Sequence, residues 1–289
     1  MESAFHEIKR HGSADFPYTV YNVGIPRFIR FFPLHWHDAA EIIYVTDGIG
    51  VISVNSKRYT VSRGDIVFVM PQSVHSIEQY ENMAMEYFNI LFDFSLLYRS
   101  VDDIIYKKFF KPLLSGEIQP PIYIQHSEPL HGELIPHVKF LTDNRGERYT
   151  GGELMVVSRL LALMNTVINR SEPTSEAELV IKNSYDKIKK VLIKIQTDYG
   201  NDIPIKSAAD VCNYSPSYFM RIFKELTGTS FTQYLVDYRL DAAARQLVST
   251  DRQITEIAVD CGFNNLSYFT RAFGKKFGLT PSEYKKSAK

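Results

Sequence analysis

The sequence predicts two domains, an all-β N-terminal half followed by an all-α C-terminal half. From about residue 16 to 125, apolar and polar side chains alternate with a period of two between turn residues, which is typical of short antiparallel strands. From about residue 180 onward the spacing is helical, and one motif occurs twice. Residues 171–176 include Pro173 but no apolar side chain, which predicts an interdomain linker over 171–178.

The alternating segments of the N-terminal half predict an antiparallel sandwich or barrel. Residues 41–46 are expected to form one strand, Asp47-Gly48 its turn, and residues 50–54 the returning strand. Helical spacing over 95–111 and two longer helices within about 130–169, namely 130–142 and 152–168, complete a domain over 1–170. The other strands are expected at 58–61, 66–70, 74–79, 85–94 and 122–124.

Four polar residues inside this β region have the spacing of a binding site: His35, His37, Glu41 and His75. Residues two apart on a strand face the same way, so the first two histidines share a face if they lie in a strand. Three interpretations stay open: a divalent metal site, a metal-free ligand pocket, or a structural hydrogen-bond network. We favour the metal-free pocket, with Tyr44 as a further candidate, and expect neither a metal nor a cofactor.

The C-terminal half is organised around a stretch that occurs twice. Residues 217–223 and 267–273 agree at five of seven positions at an offset of 50, and Ala208 with Ala258 extends the match at the same offset. Each copy follows a short apolar-striped segment and a turn, and each ends near a glycine, as a left-handed helix cap would require. The pattern predicts two helix-turn-helix motifs, at about 204–228 and 254–278.

The second helix of each motif is expected to contact double-stranded DNA. A helix fits the major groove, where Arg can bond guanine and Ser or Thr can contact bases or phosphates. Residues 231–249 predict a single helix of 19 residues between the motifs. Such a helix spans roughly 28 Å, which approaches the ~34 Å between successive major-groove faces. The outward residues expected to contact DNA are Ser217, Met220, Arg221 and Lys224, then Ser267, Thr270, Arg271 and Lys275.

An alternative is a helical bundle that does not touch DNA, with Tyr218, Phe219, Phe223 and their counterparts as its core. Core packing does not require the same basic residue at the same outward place twice, so DNA binding is favoured. Charge agrees with this preference. Residues 1–178 hold 16 basic against 22 acidic side chains, whereas residues 179–289 hold 17 against 11, which suits a polyanionic partner.

Cysteine usage and hydropathy indicate the cell compartment. Cys212 and Cys261 occupy nearly equivalent apolar positions of the repeat, so we interpret them as small core residues rather than a disulfide or metal pair. The N-terminus has no signal-peptide pattern, and no apolar run is long enough to span a bilayer. A cytoplasmic protein without membrane partners is expected.

The C-terminal hundred residues resemble the DNA-binding domain of the AraC/XylS family of bacterial transcriptional regulators. The resemblance covers about 179–289, and Gly274 departs from it where members often have Lys. The four-residue His/Glu pattern is similar to the two motifs of the cupin fold, although Ile29 and Ser73 stand where cupins usually have Gly. The matching positions of the second motif are Ile254, Ile257-Ala258, Gly262-Phe263, Ser267-Tyr268-Phe269, Arg271, Phe273, Gly278, Thr280-Pro281 and Tyr284.

The resemblance implies a sequence-specific DNA-binding regulator rather than an enzyme. A cupin-like barrel would bind a small-molecule effector, such as a sugar or related metabolite, and the helix at about 152–168 would form a homodimer. The alternative is a metal-dependent cupin enzyme fused to a DNA-binding domain, with His35, His37, Glu41 and His75 as the ligands.

Overall fold

A computed structural model describes residues 6–7, 11–27, 31–55, 57–145 and 150–287. The chain divides into two compact units, His6–Lys182 and the residues from Asn183 onward. The first unit is β-rich and the second is all-helical, so the predicted fold class is confirmed.

The first unit is built from antiparallel strands that share one long strand, β3. The path β1-β7-β3-β5-β9 forms one layer, while the second half of β3 pairs with β4 and β6, and β6 also pairs with β2. Valines and isoleucines from both layers meet in one apolar core, as a barrel requires. The strands are β1 Tyr18–Ile25, β2 Phe31–His35, β3 Ala40–Val54, β4 Lys57–Ser62, β5 Ile66–Val69, β6 His75–Gln79, β7 Met85–Phe92, β8 Ile118–Gln119, β9 Tyr123–Ile124 and β10 Glu172–Pro173.

The turn expected at Asp47-Gly48 is wrong, because β3 continues through it. The pairing of β3 with β7 shifts between Val45 and Asp47, which marks a β-bulge. Gly48 has φ of 78°, and a Cβ there would overlap the backbone of Ala84. A glycine beside an acidic residue therefore marks a bulge, which lets one strand leave the first layer and enter the second.

Two helices cover the outer face of the β layer. α2 spans Pro129–Asp143 and α3 spans Gly152–Asn169, and their buried side chains pack with Ile42, Phe68 and Ile90 of the sheet. The single helix expected at 95–111 is replaced by shorter pieces. These are a 3₁₀ turn at Phe94–Leu96, a π-helical turn at Tyr106–Phe110, and α1, Lys111–Ser115, which has Pro112 in its first turn.

The segment expected as a linker, 171–178, is structured rather than free. β10 pairs with β8, and the Thr174 amide donates to the Glu117 carbonyl at 2.9 Å. Ser175 then forms a capping box with Glu178 at the start of α4, Glu176–Asp198, because each side chain bonds the other residue's backbone amide. The Pro, Ser and Thr of this segment form an edge strand and a helix cap, and its role as an interdomain linker stays a prediction.

The second unit is helical throughout its described residues. α7 covers the 19 residues predicted as one helix, and α6 and α9 pack aromatic side chains against it. Besides α4, the helices are α5 Ile205–Val211, α6 Pro216–Thr227, α7 Phe231–Ser249, α8 Ile254–Asp260, α9 Leu266–Phe277 and α10 Pro281–Ser287.

Candidate DNA interface and ligand pocket

The first helix-turn-helix comprises α5 and α6, and its ends follow from sequence chemistry. The Ser215 side chain accepts a hydrogen bond from the Tyr218 amide at 3.3 Å, and Pro216 occupies the first helical position. Phe219 and Phe223 are buried on the inner face of α6. Gly228 ends the helix in the left-handed conformation, with φ of 76°.

The second helix-turn-helix comprises α8 and α9 and has a turn one residue longer. Cys212 and Ser215 cap the helices around the first turn, while Cys261 and Asn265 cap those around the second. The offset is therefore 49 before the turn and 50 after it. Ala258 is equivalent to Ala209 rather than to Ala208, so that prediction is wrong. Ala208 and Ala209 are both buried, and the 49-residue separation of Cys212 and Cys261 already favoured Ala209.

All eight residues expected to contact DNA are exposed on the outer faces of α6 and α9. Two of them are held by tyrosines one turn earlier. The guanidinium of Arg221 lies 5.0 Å from the ring centre of Tyr218, and that of Arg271 lies 6.0 Å from Tyr268. Arg221 also lies 3.9 Å from Glu225, an exposed ion pair that DNA phosphates could replace. The same aromatic–cation pair thus occurs on both second helices.

The assignment of Tyr218 to the core is wrong. Its side chain is 38 % exposed, and Tyr268 is 42 % exposed, whereas the neighbouring Phe219 and Phe269 are fully buried. Adjacent residues of a helix point about 100° apart, so the residue beside a buried one lies at the edge of the buried face. That spacing was available in the sequence and places both tyrosines beside the arginines.

In the β unit, the structure brings His35, His37, Glu41 and His75 together. The Nε2 atoms of His37 and His75 lie 3.1 and 2.9 Å from the same oxygen, Oε2 of Glu41. The rings of His35 and His75 are 4.1 Å apart. All four side chains are buried. The strands bring them together because His35 ends β2 opposite His75 of β6, while Glu41 opens β3.

Backbone carbonyls fix the orientation of two imidazoles. Nδ1–H of His37 donates to the Ala39 carbonyl at 3.0 Å, and Nδ1–H of His75 donates to that of Ser73 at 2.9 Å. In the neutral ring, Nε2 then carries a lone pair that faces the carboxylate of Glu41. The carboxylate is also a hydrogen-bond acceptor, so two acceptors face each other. A proton on an imidazole or on the carboxyl, or a cation among them, must therefore occupy this position.

The pKa values indicate which proton balances the cluster. Burial alone would raise the pKa of Glu41, but the charge of His75 and hydrogen bonds from both histidines outweigh it and hold this pKa well below its usual range. Burial alone would lower the pKa of His37, but its hydrogen bond to Glu41 and the charge of that carboxylate raise it above the ordinary value. Ionised Glu41 with protonated imidazole is the favoured state.

The same nitrogens could hold a divalent metal. The ligand atoms of His35, His37 and His75 all lie within 4.8 Å of one another. Their carbonyl-fixed tautomers leave Nε2 as the available ligand on at least two rings, and Glu41 adds a carboxylate. The donor set therefore fits a metal as well as a metal-free network.

A cavity of about 260 Å³ adjoins the cluster. Its walls combine apolar side chains with acceptors and imidazoles, and no Lys or Arg is among the described lining residues. Asn89 is 9 % exposed, and its Oδ1 has no hydrogen-bond partner among the described residues. The lining residues are Glu7, His11, Tyr21, Asn22, Val23, Phe32, His35, His37, Glu41, Ile77, Asn89 and Leu91.

The structure corrects one predicted pocket residue and adds another. Tyr44 lies three residues after Glu41 on β3, so its side chain points to the opposite face and packs with the core under α2 and α3. Asn89 was not predicted. The available signal was a polar residue at an inward position of β7, between Tyr87 and Leu91, where alternation requires an apolar side chain.

Two family models match the chain. An AraC-like ligand-binding domain matches residues 28–134, and a helix-turn-helix domain matches residues 208–287. The described residues include no helix long and apolar enough to cross a membrane.

Relatives match over most of their length. The uncharacterised HTH-type transcriptional regulator YdeC of Bacillus subtilis is 24% identical over 99% of this chain and 97% of its own. The HTH-type transcriptional activator RhaS of Enterobacter is 26% identical over 87% of each chain. Among solved structures, ToxT from Vibrio cholerae covers 93% of this chain and 97% of its own, with 14% identity and a TM-score of 0.44. The order of the two matched domains and the full-length relatives lead to one assignment: the chain belongs to the AraC family of helix-turn-helix transcriptional regulators.

Proposed function

We propose that the outward faces of α6 and α9 recognise successive major-groove segments on one side of a duplex. The observation that carries this proposal is the repeated exposed arginine, Arg221 and Arg271, each beside an exposed tyrosine. The length of α7, roughly 28 Å, supports simultaneous contact. The other contacts are assigned to Ser217, Met220, Lys224, Ser267, Thr270 and Lys275.

Alanine substitution of each arginine tests this interface. If the arginine bonds a base, Arg221→Ala and Arg271→Ala each weaken binding to a specific site by ~1–3 kcal/mol and relax base preference in one segment only. Lys206→Ala is the matched control, because Lys206 is an exposed cation of the same unit paired with Asp210 on α5. Unchanged affinity and base preference in both arginine variants would contradict the assignment.

The effector is proposed to be an uncharged molecule rich in hydroxyl groups, such as a monosaccharide, bound by His35, His37, Glu41 and His75. The described lining contains Glu7 and Glu41 and neither Lys nor Arg, so the residues that the structure describes there would repel a phosphate or carboxylate ligand. The unpartnered Asn89 Oδ1 calls for a donor. The cavity volume of about 260 Å³ lies at the small end of the roughly 300–1,000 Å³ range of ligand pockets, which favours one sugar ring over two.

A thermal-shift panel on the full chain tests this class. Neutral monosaccharides should include one that stabilises the protein by about 2.7 kcal/mol at a hundredfold excess over its Kd. Trp36, the only tryptophan of the chain, is buried beside the histidines and reports on this unit alone. Asn89→Leu should weaken binding, whereas Met83→Leu at an exposed turn should not. Tighter binding of phosphorylated sugars would refute the assignment.

A homodimer through α3 is also proposed. Leu160, Met164 and Val167 pack on the β layer, but Leu154 is 76 % exposed and Leu161 is 37 % exposed. A second copy could cover these residues. Leu154→Asp should lower the mass measured by light scattering, while Met83→Asp, another exposed apolar residue of the same unit, should leave it unchanged. An unaltered mass in both variants would contradict an interface here.

The alternative function is metal-dependent catalysis at the same histidines, and their convergence within 4.8 Å is the observation that favours it. Metal analysis of protein purified without a histidine tag distinguishes the two. Near-stoichiometric metal that is lost in His75→Ala supports a metal centre, whereas sub-stoichiometric metal together with effector binding supports the metal-free sensor.

A further inference from the structure

Arg239 of α7 bonds the chain segment that follows α4. Its Nε donates to the Tyr199 carbonyl and its Nη2 to the Asn201 carbonyl, both at 2.7 Å. The Tyr199 ring also lies 5.4 Å from that of Tyr238. One guanidinium thus fixes two carbonyls that no longer belong to a helix, in the fork geometry that only arginine provides.

The turn of the second helix-turn-helix packs against the same guanidinium without spare room. A Cβ on Gly262, in that turn, would lie 2.8 Å from Cζ of Arg239 and 2.8 Å from the Tyr199 carbonyl oxygen. A Cβ on Gly200 would lie 2.5 Å from the Asp260 carbonyl oxygen at the end of α8. The end of α4, Arg239 and the second turn therefore meet at one point.

The middle of α4 contacts the first turn. Tyr214 donates its hydroxyl to Oγ of Ser184 at 3.4 Å, and the Lys187 ammonium lies 4.6 Å from the ring centre of Tyr214. Ser184 and Tyr199 are 15 residues apart, which corresponds to ~22 Å along a helix. α4 and the residues that follow it thus form a strut that touches the first turn near the middle of the helix and the second turn just beyond its C-terminal end.

We propose that Arg239 is a positioning residue that sets the spacing and angle between the two recognition helices by clamping the second turn to this strut. The inference rests on the proposed contact of both helices with one duplex. Inserting one base pair between the two contacted segments moves the second by ~3.4 Å and rotates it by about 35°. A rigid clamp penalises that displacement, whereas a loosened turn accommodates it.

Spacing selectivity is the measurement that separates positioning from stability. A duplex selected from random DNA by the full-length protein is remade with one base pair inserted or removed between its two contacted segments. The native protein should lose at least about tenfold in affinity on either change, comparable to the loss of one base contact. Arg239→Ala should lose less than about threefold while keeping its base preference within each segment.

Further variants keep the proposal testable if Arg239→Ala does not fold. Arg239→Lys retains the charge but lacks the fork, and Gly200→Ala forces Asp260 away without altering Arg239, so both should also lose spacing selectivity. Lys206→Ala, which removes an exposed cation on α5, should keep it. Full selectivity in the folded variants, or an equal loss of affinity at all three spacings, overturns the proposal. A native protein without any spacing preference instead refutes the two-helix contact itself.

Discussion

Removing the carboxylate of Glu41 should destabilise the β unit much more than removing an exposed carboxylate from the same barrel. Glu41 is 2 % exposed and is the common partner of His37 and His75, which are 3 % and 0 % exposed. In Glu41→Ala, two buried imidazoles lose their partner at once, and each unsatisfied polar group costs about 1–3 kcal/mol. Breaking a buried pair by deleting one member costs about 3–5 kcal/mol, so we expect a loss in that range.

The control is Glu78→Ala on β6. Glu78 is half-exposed and lies 3.3 Å from Arg58, an exposed pair whose removal should cost less than about 1 kcal/mol. For a domain of this size, about 3–5 kcal/mol lowers the melting temperature by roughly 6–20 °C. Trp36 fluorescence measures the transition, because the only tryptophan lies in this unit. A Glu41→Ala protein that melts within about 2 °C of Glu78→Ala would refute the reasoning.

Glu41→Gln separates charge from shape. Because the pKa of His37 is raised, protonated His37 stabilises the folded protein fully at pH values below its ordinary pKa. This stabilisation is lost as the pH rises through the raised pKa. Because the pKa of Glu41 is lowered, ionised Glu41 stabilises the folded protein at pH values above its ordinary pKa. This stabilisation is lost as the pH falls through the lowered pKa. In Glu41→Gln, the amide can donate to a neutral imidazole, so the decrease in stability at alkaline pH should disappear. Melting temperatures measured as a function of pH test this. The same decrease at alkaline pH as in the native protein would contradict it.

Three further predictions concern the helical unit. Tyr218→Leu and Tyr268→Leu should each weaken DNA binding severalfold in a gel-shift titration, because the neighbouring arginine loses its aromatic contact. An exposed cation–π contact is worth ~0.5–1 kcal/mol. Tyr218→Phe and Tyr268→Phe keep the ring and should bind normally in the same titration. Burial raises the pKa of Cys212 and Cys261 to about 11. Neither thiol should therefore react with a disulfide reagent at pH 8 until denaturant is added. Rapid reaction of the folded protein would contradict their burial. Gly228→Ala should lower the free energy of unfolding, measured with denaturant, by ~1–2 kcal/mol. The reason is the backbone φ of 76°, since no atom obstructs a Cβ at this position. An unchanged unfolding midpoint would contradict that conformation.

Local chemistry made much of the helical unit predictable. A Ser before Pro216 and a Gly at position 228 set the ends of α6, and the absence of Gly and Pro over 231–249 predicted α7 to the residue. The extra residue of the second turn was missed, although the sequence contains it. Cys212 and Cys261 are 49 residues apart, whereas the motifs that follow them are 50 apart. The capping positions of the structure make the difference plain.

The β unit was harder because its strands are specified by pairing rather than by local signals. Asp47-Gly48 satisfies a turn pattern, yet the pairing of β3 with β7 on one side and with β4 and β6 on the other makes it a bulge. The choice of Tyr44 was a different error. Residues 41–46 were already expected to form one strand, in which period-two alternation puts Glu41 and Tyr44 on opposite faces, so only Glu41 can reach the histidines.

The chemistry of the cluster depends on atoms that the side-chain pattern does not contain. His-x-His-x3-Glu predicts which side chains converge, but the carbonyls of Ala39 and Ser73 decide that each Nε2 faces the carboxylate as a lone pair. A different loop path would let Nε2–H donate to the carboxylate, and both imidazoles would then be satisfied while neutral, without a further proton or a cation between them. Because the carbonyls do take Nδ1–H, the cluster requires a positive charge, which a proton on an imidazole supplies. A metal or a donor-rich effector could take the place of that proton, which is why we propose the ligand site at this end of the barrel.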